Sequence, residues 1–483
     1  MKSTDTLSTV FAAIVVVMSA SVVPRVLHAD AVDRDGMGAQ ALALAGIVGF
    51  DSSPFAATRM ASAAWRSAGS WSVSVRSGFS HGRLSLGARP ASVDISQQVL
   101  GAEVLRPWIR DWRPLPTARL QPRSAEQSPS ISNLVAFGGA WELSEHLRIV
   151  MNASLPMTRL QGQRSHFLDE REQIFSNSLQ WTWLDESQQR MDMQSALLAK
   201  LPGGVILSAG LWLGQRVRSE AEVYITSLSG EEISPTNIET EVLATLAPTF
   251  SLTWRATDNW TVHAGWQGAR DSGVETISRV KIRGLDGDAN SQKEDITRLS
   301  LGQVAARADI EIGWSQGGSG VAIGATLHST STLSTLHSEQ VNGGLNDSWT
   351  ARLAGSVKLN RAWSVLGGLS WRQSPLPEQT GRQNLVDNDL ASAAVGATWT
   401  HRSSWAKIQV SLAWKSTYAI ARTHTKRADA ADPVFDEFPD SVDPKTTEAI
   451  ESSHGFQTNN PGFPYYRSEA WMHVANLTLA VKR

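Results

Sequence analysis

The chain has 483 residues, no cysteine, and 44 basic against 46 acidic side chains, which gives a formal net charge of −2. The absence of cysteine excludes disulfides, thiolate nucleophiles and cysteine-based metal sites. The balanced charge gives no footprint for nucleic acid, because phosphate binding needs a basic excess. The chain has 19 Trp but only 4 Tyr, and Trp favours the interface between membrane and water.

The N-terminus has the pattern of a secretory signal. Lys2 supplies a positive start, residues 11–23 are a run of apolar and small residues, and residues 27–29 offer a cleavage site before Asp30. The run is shorter than the about 20 apolar residues that a membrane-spanning helix needs. We therefore predict a signal peptide over residues 1–29 and an exported mature protein. The alternative is a buried helix.

Residues 30–69 then lead to a first strand, which we predict at residues 71–75. The segment is rich in alanine and glycine and is mostly apolar, unlike a charged, solvated tail. The role of this segment depends on the fold that the rest of the chain forms around it.

Six hairpins follow, each with apolar and polar residues in alternation on both sides of a short polar turn. In one of them, Phe250, Leu252 and Trp254 alternate with small polar residues, and the alternation resumes at Trp260 after the turn. Alternation of period two that stops at a turn indicates paired antiparallel strands. The predicted turns lie at residues 144–146, 202–204, 257–259, 317–320, 360–362 and 402–404.

Longer polar segments separate the hairpins, and a last strand is predicted at residues 470–482. Short turns at one end and long loops at the other are typical of outer-membrane barrels. Six turns, with both termini at the turn end, predict about 14 strands. The predicted long loops are residues 88–129, 157–193, 216–242, 269–299, 328–347, 373–390 and 416–467.

We therefore predict an all-β fold, a transmembrane antiparallel β-barrel whose apolar face contacts lipid. Leu211 and Ile149 should face lipid, and Ser208 and Asn152 the lumen. A soluble propeller or sandwich is the alternative, since alternation alone does not distinguish lipid from a protein core. Tryptophans near strand ends resemble an aromatic girdle; they are Trp141, Trp254, Trp260, Trp266, Trp363, Trp371, Trp399, Trp405 and Trp414. A barrel of this size needs a plug or conducts water, and residues 30–69 could be that plug.

Several stretches resemble the FadL/TodX-type family of outer-membrane transporters for long-chain fatty acids and other hydrophobic compounds. They are the small-residue segment 39–46, the sequence Asp-Ser-Ser-Pro-Phe-Ala-Ala at 51–57, Thr-Arg-Met at 58–60 in the place of the family's Asn-Pro-Ala motif, and residues 128–156 and 385–399. The resemblance implies a hatch inside the lumen at residues 30–69, a barrel over residues 70–483, and a location in the cell outer membrane.

The resemblance also implies passive uptake of hydrophobic small molecules, such as long-chain fatty acids or aromatic hydrocarbons, past the hatch. The alternative is a general diffusion porin or a structural barrel without an ordered plug. We expect the partners to be outer-membrane lipid, a hydrophobic substrate and the barrel assembly machinery, and the protein to be a monomer that binds no nucleic acid.

We expect no enzymatic activity, cofactor or metal, because the sequence contains no catalytic constellation that we can identify. The motif Asp-Gly-Asp-Ala-Asn at 286–290 begins like a calcium loop. The pattern fails because Ser291 replaces the required Gly and Thr297 replaces the required Glu.

The resemblance places the candidate ligand-binding residues Phe55, Thr58, Arg59 and Met60 where the hatch meets the first strand and the substrate passage. Arg59 could pair with a fatty-acid carboxylate while Phe55 and Met60 contact the alkyl chain. The alternative is that Arg59 pairs with a carboxylate of the barrel wall and holds the plug in place, because buried charges need partners.

Overall fold

The computed structural model of the protein describes much of the chain. The predicted signal peptide, all but the last residue of the calcium-like motif at 286–290, and most of the last long loop lie outside the described residues. The described residues are 36–88, 123–126, 130–157, 180–181, 192–214, 218–226, 233–242, 246–283, 290–332, 345–381, 385–427 and 462–482.

Fourteen antiparallel strands form one closed barrel, as the sequence predicts. Strand β1 pairs along its whole length with β14 and, on its other side, with β2, so the sheet returns to its start. Closure leaves no barrel edge unpaired, which is what a sheet in lipid requires. The strands are β1 (Ser70–Leu86), β2 (Ser130–Glu142), β3 (Leu147–Pro156), β4 (Asp192–Leu201), β5 (Val205–Gly214), β6 (Leu246–Arg255), β7 (Trp260–Gln267), β8 (Arg307–Gln316), β9 (Ser319–His328), β10 (Ser348–Lys358), β11 (Trp363–Arg372), β12 (Leu390–Arg402), β13 (Lys407–Thr425) and β14 (Tyr465–Lys482).

The six predicted turns connect strand pairs at one end of the barrel, called here the turn end. Local chemistry explains two of them. Gly203 and Gly204 have φ angles of 77° and 75°, a conformation that glycine adopts without a steric cost. The side-chain oxygen of Asn360 accepts hydrogen bonds from the backbone N–H groups of Ala362 and Trp363, at 2.8 and 2.9 Å. This self-bonding stabilises the turn between β10 and β11.

The two faces of the barrel wall differ as the alternation predicts. Phe250 and Trp254 are exposed on the outer face, whereas Ser251 and Thr253 between them are buried. Leu211 is 47% exposed, while Ser208 and Asn152 are buried in the interior. A soluble sandwich would bury its large apolar residues, so the exposed band indicates a lipid-facing surface. Exposed tryptophans near the strand ends include Trp71, Trp141, Trp254, Trp260, Trp266, Trp349, Trp363 and Trp471.

At the other end, called the loop end, part of the chain that we predicted as polar loops forms strands. A separate four-stranded antiparallel sheet contains Arg218–Thr226, Ile233–Val242, Arg270–Arg283 and Asn290–Val304. The prediction missed these strands because their sequences do not keep one apolar face. A strand outside the bilayer has no lipid-facing side, and therefore no need for that pattern.

Candidate functional site

Residues 36–69, called here the N-terminal segment, precede β1 and are almost entirely buried. The segment contains a short α-helix, α1 (Ala39–Ala43), and two 3₁₀ helices, Pro54–Thr58 and Ala61–Ser67. After α1 the chain turns through Ala45 and Gly46, which both have positive φ angles of 51° and 90°. Small side chains allow this compact path, since the segment has to fit between the surrounding walls.

The N-terminal segment forms hydrogen bonds with inward-facing side chains on strands around the barrel. The backbone N–H of Ala39 donates to Thr478 Oγ1 on β14 at 2.8 Å, and the backbone N–H of Ser62 donates to Ser251 Oγ on β6 at 2.8 Å. The bonds therefore reach widely separated parts of the wall. The other wall residues that bond to it include Asn152, Gln194, Glu311, Thr398 and Ser411.

Apolar contacts join the same segment to the wall. Phe55 belongs to a buried cluster with Leu134 of β2 and Trp212 of β5. Met60 belongs to a second cluster, which includes Leu198 of β4. A third cluster joins the stretch around α1 to β11 and β14; its members include Leu42, Leu44, Ile47, Leu366, Met472 and Val474.

Glycines in the wall permit the closest approaches of the segment. A Cβ atom at Gly265 of β7 would lie 2.7 Å from Met60 Cγ, and one at Gly368 of β11 would lie 2.6 Å from the backbone carbon of Leu44. Both distances are shorter than carbon atoms tolerate, so a larger residue would displace the segment. The wall is thus shaped to receive these residues.

A buried group of charges fixes the middle of the segment. Arg59 forms an ion pair with Asp309 of β8 and donates a hydrogen bond to Thr326 Oγ1 of β9 at 2.8 Å. Arg307 contacts the same carboxylate at 3.3 Å and donates to the backbone oxygen of Thr58 at 2.9 Å. Glu311 accepts a hydrogen bond from the backbone N–H of Val48 at 3.0 Å. These contacts supply the pairing that buried charges require.

The four predicted site residues all lie at this junction of segment and wall, within one stretch. Thr58 donates its hydroxyl hydrogen to the backbone oxygen of Phe55 at 2.8 Å, so its side chain stabilises the segment itself. Phe55 and Met60 are fully buried in apolar surroundings. Arg59 pairs with Asp309 of the barrel wall, as expected if it holds the segment in place and does not bind a substrate carboxylate.

Sequence analysis did not predict which residues of the barrel wall contact the N-terminal segment at this junction. Arg307, Asp309 and Glu311 stand on alternate positions of β8 and are all buried. Three charged residues on the inward alternation of a strand that crosses the bilayer are a signal that could have been read, because such residues need partners inside the lumen.

Residues 373–381 and 385–389, which we predicted as part of a polar outer loop, are largely buried and bond to inward-facing side chains of β13 and β14. Arg372 binds both carboxylate oxygens of Asp387 at 2.8 Å. Asn388 donates a hydrogen bond to Ser468 Oγ at 2.9 Å, and Tyr466 donates its hydroxyl hydrogen to the backbone oxygen of Leu385 at 2.8 Å. The loop is polar because it needs these bonds, and not because it is solvated.

A depression of about 600 Å³ lies in the wall across β4 to β7. Three of its lining residues, Ser208, Ser251 and Gly265, belong to the inward alternation, so the depression penetrates between outward side chains. Met60 lies directly behind Gly265. The outward lining residues include the small side chains Ala199, Ala209 and Ala264 and the larger Leu197, Leu207, Phe250, Leu252 and Trp266.

Within the described ranges, no three His, Asp or Glu side chains are arranged to hold a metal ion. The helices in those ranges are all too short or too polar to cross a membrane.

Comparison with known proteins bears on the fold. No protein-family model matches the sequence, and no curated protein matches it. Among solved structures, a FadL homologue of Pseudomonas aeruginosa is similar at 13% identity and a TM-score of 0.55, over 95% of this chain and 100% of the other. A deltaS2 mutant of the monoaromatic hydrocarbon channel TodX is similar at 9% identity and a TM-score of 0.51, over 93% of this chain and 99% of the other. Sequence resemblance and structural similarity therefore agree that this chain has the fold of the FadL/TodX-type outer-membrane channels.

Proposed function

We propose that the protein is an outer-membrane channel for the uptake of hydrophobic small molecules, which diffuse passively past the N-terminal segment. The observation that carries the proposal is the apolar packing of that segment against the wall, in clusters around Phe55 and Met60. A porin for polar solutes needs an open, water-filled lumen. Here the wall meets apolar side chains instead, and these offer contacts to an apolar solute.

The fold supports the proposal, since the similar solved structures are a FadL homologue and a hydrocarbon channel. We propose that the segment acts as the hatch that the sequence resemblance implies, and that the protein is a monomer inserted by the barrel assembly machinery. Its substrates are long-chain fatty acids, aromatic hydrocarbons or compounds of similar polarity.

We propose that the solute leaves through the wall depression between β4 and β7. The outward side chains there include the small Ala199, Ala209 and Ala264, so they cover the strands only thinly. Gly265 has no side chain, so Met60 lies against the backbone of β7. A shift of Met60 would free the space behind Gly265 without breaking any ion pair, and an opening to lipid also requires β6 and β7, which pair over residues 249–255, to separate. Apart from the hydroxyls of Ser208 and Ser251, the lining of this route is apolar, which suits a solute that water excludes.

Phe55 and Met60 contact the passing solute in this proposal, and Thr58 and Arg59 hold the hatch. Arg59 would have to leave Asp309 before it could bind a substrate carboxylate. Removing one partner of a buried ion pair costs about 3–5 kcal/mol, so anchoring is the role that agrees best with the contacts.

Uptake by cells that produce the mature protein tests the function. Such cells should accumulate a labelled long-chain fatty acid and a neutral hydrocarbon faster than cells with an empty vector, while uptake of a small sugar stays unchanged. Equal acceleration of the sugar would show a general porin, and no acceleration of either apolar compound would refute the proposal.

The Arg59→Gln variant separates anchor from ligand. If Arg59 is an anchor, we expect Arg59→Gln to admit small polar solutes and to change the uptake of acidic and neutral hydrophobic substrates equally. A loss confined to the acidic substrate would instead make Arg59 a ligand. Arg83→Gln is the matched control, because Arg83 lies 4.0 Å from Glu469 in an exposed pair and such pairs contribute little.

A further inference from the structure

Cations line the inner edge of the barrel at the turn end. Lys358, for example, follows Ala354 on the inward alternation of β10, whereas Leu353 and Val357 face outward. The same alternation places the other strand-end cations on the inner side, and Arg66 joins them from the N-terminal segment. This group, called here the turn-end rim, consists of Arg66, Lys200, Arg255, Lys358, Arg402, Lys407 and Lys482.

Three of these cations stand side by side on neighbouring strands. Lys407 of β13 is directly opposite Arg402 of β12 on one side and Lys482 of β14 on the other. Like charges in directly opposed positions destabilise a sheet. A row of three cations is therefore unfavourable by itself. Lys482 donates a hydrogen bond to the backbone oxygen of Arg66 at 3.0 Å, and negative charge from outside the sheet would offset the repulsion.

The rim does not receive that charge from the described part of the chain. The ion pairs there involve none of its seven cations. Exposed acidic residues at the turn end are Glu142, Glu145 and Asp258, and Arg148 already pairs with Glu142 at 2.6 Å. These acids lie on β2, in the turn before β3, and in the turn before β7. From β10 to β14 the turn end has no acidic residue.

The position and extent of the rim indicate which kind of partner could supply negative charge to its cations. The rim faces inward, so membrane lipids at the outer surface meet the alternate, apolar residues such as Trp363 and Trp405. The cations are spread from β4 to β14, and several, such as Lys358 and Arg402, are exposed. An enclosed pocket for one small anion would be compact and buried. A broad, exposed and singly charged surface suits a partner of opposite charge.

We propose that the turn-end rim is a docking surface for a protein with an acidic face. The partner supplies the carboxylates that the row Arg402, Lys407 and Lys482 lacks. Docking at the inner edge sets the partner against the mouth of the barrel. This interaction goes beyond the proposed function and does not depend on which solute the barrel carries.

The test uses the mature protein in nanodiscs of zwitterionic lipid, with poly-L-glutamate as the acidic probe. Because the chain has no cysteine, a fluorophore can be attached at one site, through Ser404→Cys at the turn end or Glu378→Cys at the loop end. We expect the probe to change the fluorescence at position 404 and not at 378, with an affinity that falls as salt is raised.

Two double variants with the same change of charge decide the location. Arg402→Gln with Lys407→Gln should weaken binding at least about threefold. The control, Arg427→Gln with Arg467→Gln, removes two cations from the loop end and should leave the affinity unchanged. Equal weakening by both variants would overturn the proposal, because binding would then follow net charge alone.

Three other outcomes would also overturn the proposal. They are an equal response at positions 404 and 378, a response at 404 to anionic lipid without the probe, and binding of monomeric glutamate as tight as that of the polymer. Uptake of hydrophobic substrate by the Arg402→Gln, Lys407→Gln variant should equal that of the parent protein. Failure of docking and failure of transport are therefore separate results.

Discussion

Individual charges where the N-terminal segment meets the barrel wall are buried, both in the segment and in the wall. Arg59 and Asp309 are 6% and 5% exposed, so neither can exchange its partner for water without moving the backbone. Arg307 adds a second contact to Asp309, and its bond to the Thr58 oxygen ties the same carboxylate to the hatch backbone. An arrangement of this kind holds a segment at one place, whereas the apolar contacts of Phe55 and Met60 permit small shifts.

We expect the docking of the N-terminal segment to depend on pH through Asp51. Burial raises the pKa of its carboxyl from 3.8 to about 6, although hydrogen bonds from Ser53 oppose the shift. A raised pKa means that the docked state favours the neutral acid. Docking is therefore strongest at low pH, weakens as the pH rises from about 4 to 6, and is weaker by about 3 kcal/mol above that window.

Hydrogen exchange of the amides in residues 36–68, corrected for intrinsic rates, measures this dependence. Protection should decrease between about pH 4 and 7 in the parent protein and should decrease less in Asp51→Asn, since an amide does not titrate while the wall carboxylate Glu311 at Val48 remains. Asp258→Asn, in an exposed turn, is the control and should behave like the parent. An unchanged pH profile in Asp51→Asn would contradict the assignment.

At the scale of the strand and hairpin, alternation and turn chemistry predicted position and orientation well. All six turns and both faces of the wall agree with the prediction, because each depends on residues close in sequence. The prediction missed the four strands of the loop-end sheet, at residues 218–226, 233–242, 270–283 and 290–304, and the buried stretches at 373–381 and 385–389. Their structure depends on partners elsewhere, and no apolar alternation reveals it.

Charge on the lipid face should block insertion. Leu211→Arg places a cation on the outer surface of β5, where an Arg costs about 2–4 kcal/mol near the bilayer midplane and less towards either interface. We expect less folded protein in the membrane fraction. The inward Ser208 is a poor control, because it bonds to Ser251 at 2.6 Å, which in turn binds the hatch.

Ser356→Arg is the better control, since Ser356 is a half-buried residue on the inward alternation of β10. It should insert like the parent protein. Equal loss of both variants from the membrane would show that orientation of the side chain does not determine tolerance.

The whole molecule is a closed cylinder with one segment in its lumen and a basic inner rim at one end. Closure joins β1 to both β14 and β2, so each barrel strand has two neighbours. The N-terminal segment and the stretches at 373–381 and 385–389 contact several strands, and the rim consists mainly of residues from several strands. None of them exists in an open sheet.

Closure predicts an unusual response to denaturing gels. A barrel without an edge strand has no place where unzipping starts, so unboiled protein in detergent should keep its fold and migrate differently from boiled protein. Circular dichroism of the unboiled sample should show predominantly β-structure. Identical migration before and after boiling, with a helical spectrum, would be incompatible with the fold.

By itself the sequence determined the barrel strands, the turns, the lipid-facing side and the composition of the N-terminal segment, since alternation and turn residues act over a few positions. Only the tertiary structure decided which inward-facing residues contact one another. Arg59 finds Asp309 across 250 positions, and Lys407 stands between Arg402 and Lys482 only through the register of three strands. Those contacts depend on how the sheet closes, because closure sets the stagger between strands, and no local pattern encodes that stagger.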